Sequence, residues 1–123
     1  MDRYLTNEHR EFQEEVRAFA RERIRPVAGA LDERSEFPWE NVRDMARQGW
    51  LGIPVPLDYG GMGKDYTSYT LAVEELARVD ASHSITVSAH TTLGTSPILA
   101  FGTDEQKRAW VPLLAQGKVL GGF

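Results

Sequence analysis

Phe12, Val16, Ala20 and Ile24 recur every four residues, with Phe19 beside them and Glu14, Glu15, Arg17, Arg21 and Glu22 between. That is the period of an amphipathic helix with one buried stripe. Thr6 is suited to cap it, and Glu8, Glu11 and Glu14 come next, near the positive end of the helix dipole. Pro26 is expected to break or kink this helix and to open a short second one over 26–34. Phe37-Pro38-Trp39 opens a third, which turns Val42, Met45 and Ala46 inward and stops at Gly49. From Trp50 to Pro56 two prolines and no helical period predict extended chain, leading into the glycine loop Asp58-Tyr59-Gly60-Gly61-Met62-Gly63. Helical period returns at Tyr69, Ala72, Val73, Leu76 and Ala77, with Glu74, Glu75 and Arg78 assigned to a solvated face.

The next stretch, from Ala81 to Thr103, holds no Asp, Glu, Lys or Arg. A surface helix keeps one solvated side, so a helix without charges predicts a central element covered by something that tolerates hydroxyls. Asp80 or Ser82 would cap it; it is expected to run to about Leu93, break at Gly94, and resume as a short helix from Pro97 to Gly102. His83, His90, Gly94, Pro97 and the hydroxyl residues interrupt any apolar run long enough to span a bilayer. Thr103 and Gln106 then form a capping box ahead of a helix carrying Trp110, Leu113 and Leu114, bent at Pro112 and ended at Gly117. Val119-Leu120-Gly121-Gly122-Phe123 reads as the beginning of a β-strand. The fold class is therefore all-α, a bundle of about six helices with short loops, ending in a first strand of a β-domain absent from these residues.

Composition narrows the function classes. A net charge of −4 without a basic-aromatic patch argues against nucleic acid as a partner. The absence of cysteine removes disulfides, thiolate metal sites and cysteine nucleophiles together. The N-terminal MDRYLTNEHREF has no apolar run of a secretory signal and is too acidic for an organelle transit peptide.

Candidate chemistry is sparse. In the loop Tyr59 to Lys64, Lys64 is followed by Asp65, whose charge would repel a phosphate, so a structural glycine turn is the preferred reading. His83 and His90 share a helix face two turns apart, farther than one metal ion bridges, and each is better read as a packed or pocket-lining histidine. Ser82, Ser84, Ser88 and Ser96 lack the Gly-x-Ser-x-Gly context of a hydrolase nucleophile. No catalytic residue is assigned. Thr86, Ala89, His90 and Leu93, at i, i+3, i+4 and i+7, make one face of small and mildly polar groups. From spacing alone that face is open to a neighbouring helix, the favoured occupant, or to a ligand.

In order along the chain, Leu51-Gly52-Ile53-Pro54-Val55-Pro56 through Tyr59-Gly60-Gly61-Met62-Gly63, then Glu74 to Ser82, then Phe101-Gly102-Thr103-Asp104-Glu105-Gln106-Lys107 through Trp110 to Gly117, and finally Val119 to Phe123, resemble the N-terminal domain of the acyl-CoA dehydrogenase family. The resemblance covers nearly the whole chain. It implies that residues 1–123 are one domain of a three-domain, FAD-dependent enzyme that oxidises acyl-CoA thioesters to trans-2-enoyl-CoA. A glutamate of another domain would remove the α-proton while hydride leaves the β-carbon for the flavin. By the same resemblance Thr86, Ala89, His90 and Leu93 line the fatty-acyl pocket and Phe123 lies near the flavin, which moves the preference from packing to a ligand. Acyl-CoA as substrate, electron-transferring flavoprotein as electron acceptor, and a homo-oligomeric full-length enzyme are implied too. So is a location in a bacterial cytoplasm or a mitochondrial matrix. The expected Thr-Glu-Pro continuation does not follow Phe123, so the chain by itself is expected neither to retain FAD nor to turn over substrate. The rival readings are a non-catalytic helical module or partner subunit and a domain of an acyl-CoA oxidase.

Overall fold

The structure, a computed structural model, describes residues 2–123. Its α-helices are α1 (Asn7–Phe19), α2 (Arg25–Glu33), α3 (Trp39–Arg47), α4 (Tyr66–Ala77), α5 (Ala81–Ala89), α6 (Ser96–Phe101) and α7 (Asp104–Ala115). Two π-helical turns, Ala20–Ile24 and His90–Thr95, weld α1 to α2 and α5 to α6. The described residues thus form an all-α fold of five continuous helical stretches, 7–33, 39–47, 66–77, 81–101 and 104–115.

Neither expected break occurs, and the reason is the same at both places. A proline has no N–H to give and its ring collides with the carbonyl four residues back. Ahead of Pro26 the chain widens, Arg25 N–H reaching Ala20 O; ahead of Pro97 it widens again, Ser96 N–H reaching Thr91 O. A π turn opens the ladder by one residue just before the ring, so the helix passes the proline instead of ending. Gly94 lies inside the second wide turn and does not interrupt it.

Caps hold the helix starts. Thr6 accepts from His9 N–H at 3.2 Å while His9 Nδ1 accepts from Thr6 N–H at 3.2 Å. Asp80, of the two candidates, caps α5, accepting from His83 N–H at 3.1 Å. The Thr103–Gln106 box caps α7 as expected.

The core centres on Trp50, 1% exposed, which meets Phe12 and Phe19 edge-on at centroid distances of 6.5 and 5.0 Å. Val16, Ala20, Ile24, Met45, Leu76 and Val87 are among the buried residues around it. T-shaped pairs of this kind add to the burial of the rings themselves. The stretch expected to be extended is instead tightly folded: a 3-10 turn at Trp50–Gly52 and another at Leu57–Tyr59. Met62, Gly63 and Lys64 donate their amides back to the carbonyls of Gly52, Val55 and Ile53 at 2.8–3.0 Å. A Cβ on Gly61 would fall 2.1 Å from Val55 O, so only glycine fits this fold-back. With these donors spent on carbonyls, the loop has none of them left for a phosphate.

Most of the face expected for α4 meets the core, Ala72 and Leu76 buried and Tyr69 and Val73 half-buried against it. Ser68, Leu71, Ala72, Glu75 and Leu76 are buried, and Ala77 is exposed. Glu75, assigned to a solvated face, is 1% exposed. It is turned onto α1, where Arg17 Nε and Nη2 donate to its two oxygens at 3.0 and 2.9 Å and Gln13 Nε2 donates at 2.8 Å. Sequence period places the carboxylate without showing that a cation on another helix waits for it. Residues 119–123 carry no strand ladder, since a strand is defined by the neighbour it pairs with and none of the described residues supplies one.

Candidate functional site

The uncharged stretch, 81–101, packs one side on α4 and presents the other to solvent. Inward lie His83, Ser84, Val87, His90, Thr91 and Thr95; outward, Ile85 is 61% and Leu93 50% exposed. Most of its hydroxyls are absorbed internally, although the buried Thr91 Oγ1 has no partner among the described residues. Thr86 Oγ1 donates to Ser82 O and Thr92 Oγ1 to Ser88 O, both at 2.7 Å, the i−4 back-bond open to helical threonines. In the wide turn Thr95 Oγ1 reaches His90 O at 3.2 Å and Ser96 Oγ reaches Thr91 O at 2.8 Å. Ser84 Oγ donates to Val73 O at 2.8 Å, and Ser88 Oγ accepts from Tyr69 Oη at 3.3 Å. A hydroxyl bonded back to its own helix needs no water, so the outward face is less polar than its composition implies.

The residues singled out from sequence divide accordingly. Thr86 and Ala89 are half-buried on the flank, Leu93 is on the open face, and Phe123 is fully exposed at the end of the described chain. His90 is 1% exposed and faces inward. Its Nε2 lies 2.9 Å from Leu114 O, and Gly121 N–H donates to its Nδ1 at 3.0 Å. A carbonyl only accepts and an amide N–H only donates, so the ring is neutral with its proton on Nε2. Burial pushes its pKa below the ordinary histidine value, opposed by hydrogen bonding to the backbone at Leu114 and Leu51.

Sequence reasoning missed what Gly94 does. The exit segment crosses the wide turn there, and a Cβ on Gly94 would lie 2.6 Å from Gly121 Cα. The two glycines are 27 residues apart, and no local pattern links them. It missed as well the buried chain in which His83 Nδ1 meets Asp80 Oδ2 at 2.5 Å and Asn41 Nδ2 reaches His83 Nε2 and Arg23 O, each at 3.2 Å. Both ring nitrogens of His83 are thereby occupied, tying α5 to α3 and to the first π turn.

Beyond the neutral face, Phe101, 90% exposed, and Trp110, 53% exposed, line an open groove of about 370 Å³ between α6 and α7. No group of three or more His, Cys, Asp or Glu side chains among the described residues is placed to hold a metal ion. No helix of the described residues is long and apolar enough to cross a membrane. The site offers an apolar wall with satisfied polar groups, and no nucleophile or free base on it.

Comparison with known proteins gives that wall a context. The family model described as acyl-CoA dehydrogenase, N-terminal domain, matches residues 6–118. An acyl-CoA dehydrogenase of Bacillus subtilis is 43% identical over 120 residues, which are 98% of this chain and 32% of that protein. Among solved structures, a chain of the electron transferring flavoprotein of Acidaminococcus fermentans superimposes with a TM-score of 0.91 at 37% identity, covering 98% of this chain and 32% of its own. An acyl-CoA dehydrogenase of Bacillus anthracis, solved in complex with FAD, gives 0.89 at 33% identity over 97% of this chain and 20% of its own. The chain spans about a third of the length of the curated relatives it matches.

Proposed function

We propose a function from the premise that this chain belongs to the acyl-CoA dehydrogenase family, matching its N-terminal domain: residues 1–123 form one domain and one wall of a site that oxidises an acyl-CoA thioester to trans-2-enoyl-CoA. The observation that carries the reading is the uncharged helix face with its hydroxyls turned back onto the helix, left open in a chain of which 26% of residues are charged. Such a face accepts hydrocarbon without stranding a polar group.

Thr86, Ala89 and Leu93 lie along the acyl chain in this reading, and His90 supports them from behind. The family chemistry removes a proton from the α-carbon and a hydride from the β-carbon as the double bond forms. The neutral face carries no carboxylate, and in this reading the general base is a glutamate of another domain, as the family chemistry implies. FAD supplies the hydride acceptor when bound. The exposed Phe123 ring, with open space around Gly122, suits the edge of a planar aromatic group, and Phe123 with the neighbouring backbone would hold that edge. Electron-transferring flavoprotein as acceptor, a homo-oligomeric whole enzyme, and a bacterial cytoplasm or mitochondrial matrix as location belong to the same reading.

The test is a titration of the 15N-labelled chain with butyryl-CoA and with decanoyl-CoA, monitored by amide chemical shifts. Shift changes concentrated at Thr86, Ala89 and Leu93, larger for the longer chain, are expected. Changes confined to the opposite face, or none at millimolar thioester, would overturn the assignment.

A further inference from the structure

After α7 the chain doubles back and crosses the π turn of the neutral helix at one point. Gly121 and Gly94 meet there backbone to backbone: a Cβ on either would stand 2.6–2.8 Å from the other's Cα. Beside the crossing, the His90 ring joins three segments. It stands in the wide turn, donates Nε2–H to Leu114 O in the last turn of α7, and accepts Gly121 N–H on Nδ1. Leu114 O also accepts from Gly117 N–H at 3.0 Å, so the first bond uses the second lone pair of a carbonyl that already closes the end of α7. The second is of another kind. Val119, Leu120, Gly122 and Phe123 are exposed, and a Cβ on Gly122 would meet nothing within 4 Å. Val119 and Leu120, each 37% exposed, keep partial cover while Phe123 is fully exposed, so the imidazole bond at Gly121 holds the segment where its side-chain cover runs out.

We propose that His90 is a positioning residue: as the neutral Nε2–H tautomer it latches Gly121 over Gly94 and so fixes the direction in which Gly122 and Phe123 leave the helical domain. A ring with its proton on Nδ1 would set N–H against N–H and open the latch. The latch stands on geometry alone. Its consequence, the spacing between the wall formed by Thr86, Ala89 and Leu93 and the aromatic edge at Phe123, rests on the function proposed above.

The experiment is amide hydrogen exchange on the whole chain, with the His90 ring nitrogens observed by 15N NMR. In the wild type a protonated Nε2, a bare Nδ1 and a protected Gly121 amide are expected. His90→Leu, close in bulk but without either polar end, should speed exchange at Gly121 about tenfold, the change that one lost hydrogen bond implies. Leu76 and Met45 amides should keep their rates. His90→Gln, which offers an acceptor and a donor, should recover part of the protection. An Nδ1–H tautomer, a Gly121 amide exchanging like free peptide in the wild type, or equal acceleration of every core amide in His90→Leu would overturn the proposal. Should His90→Leu not fold, the wild-type tautomer and Gly121 protection decide the matter. A sound latch combined with a failed thioester titration would reject the proposed function and leave the latch standing.

Discussion

Replacing Arg17 with Met should destabilise the chain by leaving a buried carboxylate without its partner. Glu75 is 1% exposed and uses both oxygens on Arg17, whose own side chain is 30% exposed. The hydrogen bond from Arg17 holds the Glu75 carboxyl below the ordinary glutamate range in spite of burial, with help from Gln13. Breaking a fully buried pair costs about 3–5 kcal/mol, and the partial exposure of Arg17 places this one near about 3 kcal/mol. For a chain of this length that lowers the melting temperature by about 12 °C. Arg17→Met/Glu75→Leu should recover most of the loss, because an apolar pair of similar volume needs no desolvation of charge. The pH dependence separates the variants further. In the wild type the lowered pKa adds stability that is complete above the ordinary glutamate pKa and lost as pH falls through the folded one. In Arg17→Met only Arg78, at 3.9 Å, remains as a cation beside Glu75, so burial weighs more, the Glu75 pKa rises relative to the wild type, and mild acid should stabilise that variant relative to the wild type. Urea unfolding of both variants and the wild type at pH 7 and pH 5 measures all of this. A loss under about 1 kcal/mol for Arg17→Met, or a double variant no better than the single one, would refute the pairing.

Asp65→Ala should cost about 1 kcal/mol at neutral pH by uncapping α4. Asp65 accepts from Ser68 N–H at 2.8 Å and meets His9 Nε2 at 2.7 Å; these partners, the Ser68 amide first, hold its carboxyl at about 2. Its contribution is thus present above the ordinary aspartate pKa and lost as pH falls through about 2, so the gap between variant and wild type in urea midpoints should close in strong acid. Thr91→Val should be neutral or stabilising by up to about 1 kcal/mol, because the buried Thr91 Oγ1 has no hydrogen-bond partner among the described residues and Val keeps its shape. A loss of more than about 1 kcal/mol on thermal unfolding would show that the hydroxyl is engaged after all.

Local physics was legible and distant pairing was not. The period of Phe12, Val16, Ala20 and Ile24 and the caps at Thr6 and Thr103 each depend on residues within a few turns, and the structure agrees with them. Glu75 was misplaced because a helix period averages over residues, while its burial depends on Arg17 arriving from another helix. The face of Thr86, Ala89, His90 and Leu93 was half legible. Their spacing marks one side of an ideal helix. The π turn beginning at His90 shifts the register of the residues beyond it, so Leu93 comes to the open side while His90 stays inside.

The two π turns carry the larger lesson about how this chain builds a surface. Each costs a regular hydrogen-bond register and each sits just ahead of a proline, at Pro26 and at Pro97. If continuity of the helix were the only gain, the prolines could simply have been other residues. The second turn has a different gain. Widening at His90–Thr95 lets Thr95 and Ser96 bond five residues back, and it encloses the glycine over which residue 121 crosses. A regular α-helical turn would keep the hydroxyl back-bonds at i−4 but would rotate Leu93 and Gly94 away from their present sides. The irregular turn therefore does two things at once: it keeps the face apolar and it opens the saddle for the exit segment. Substituting Pro97 alone would leave the saddle intact as long as the wide turn survives, because the glycines and the His90 ring, not the proline, meet the crossing chain.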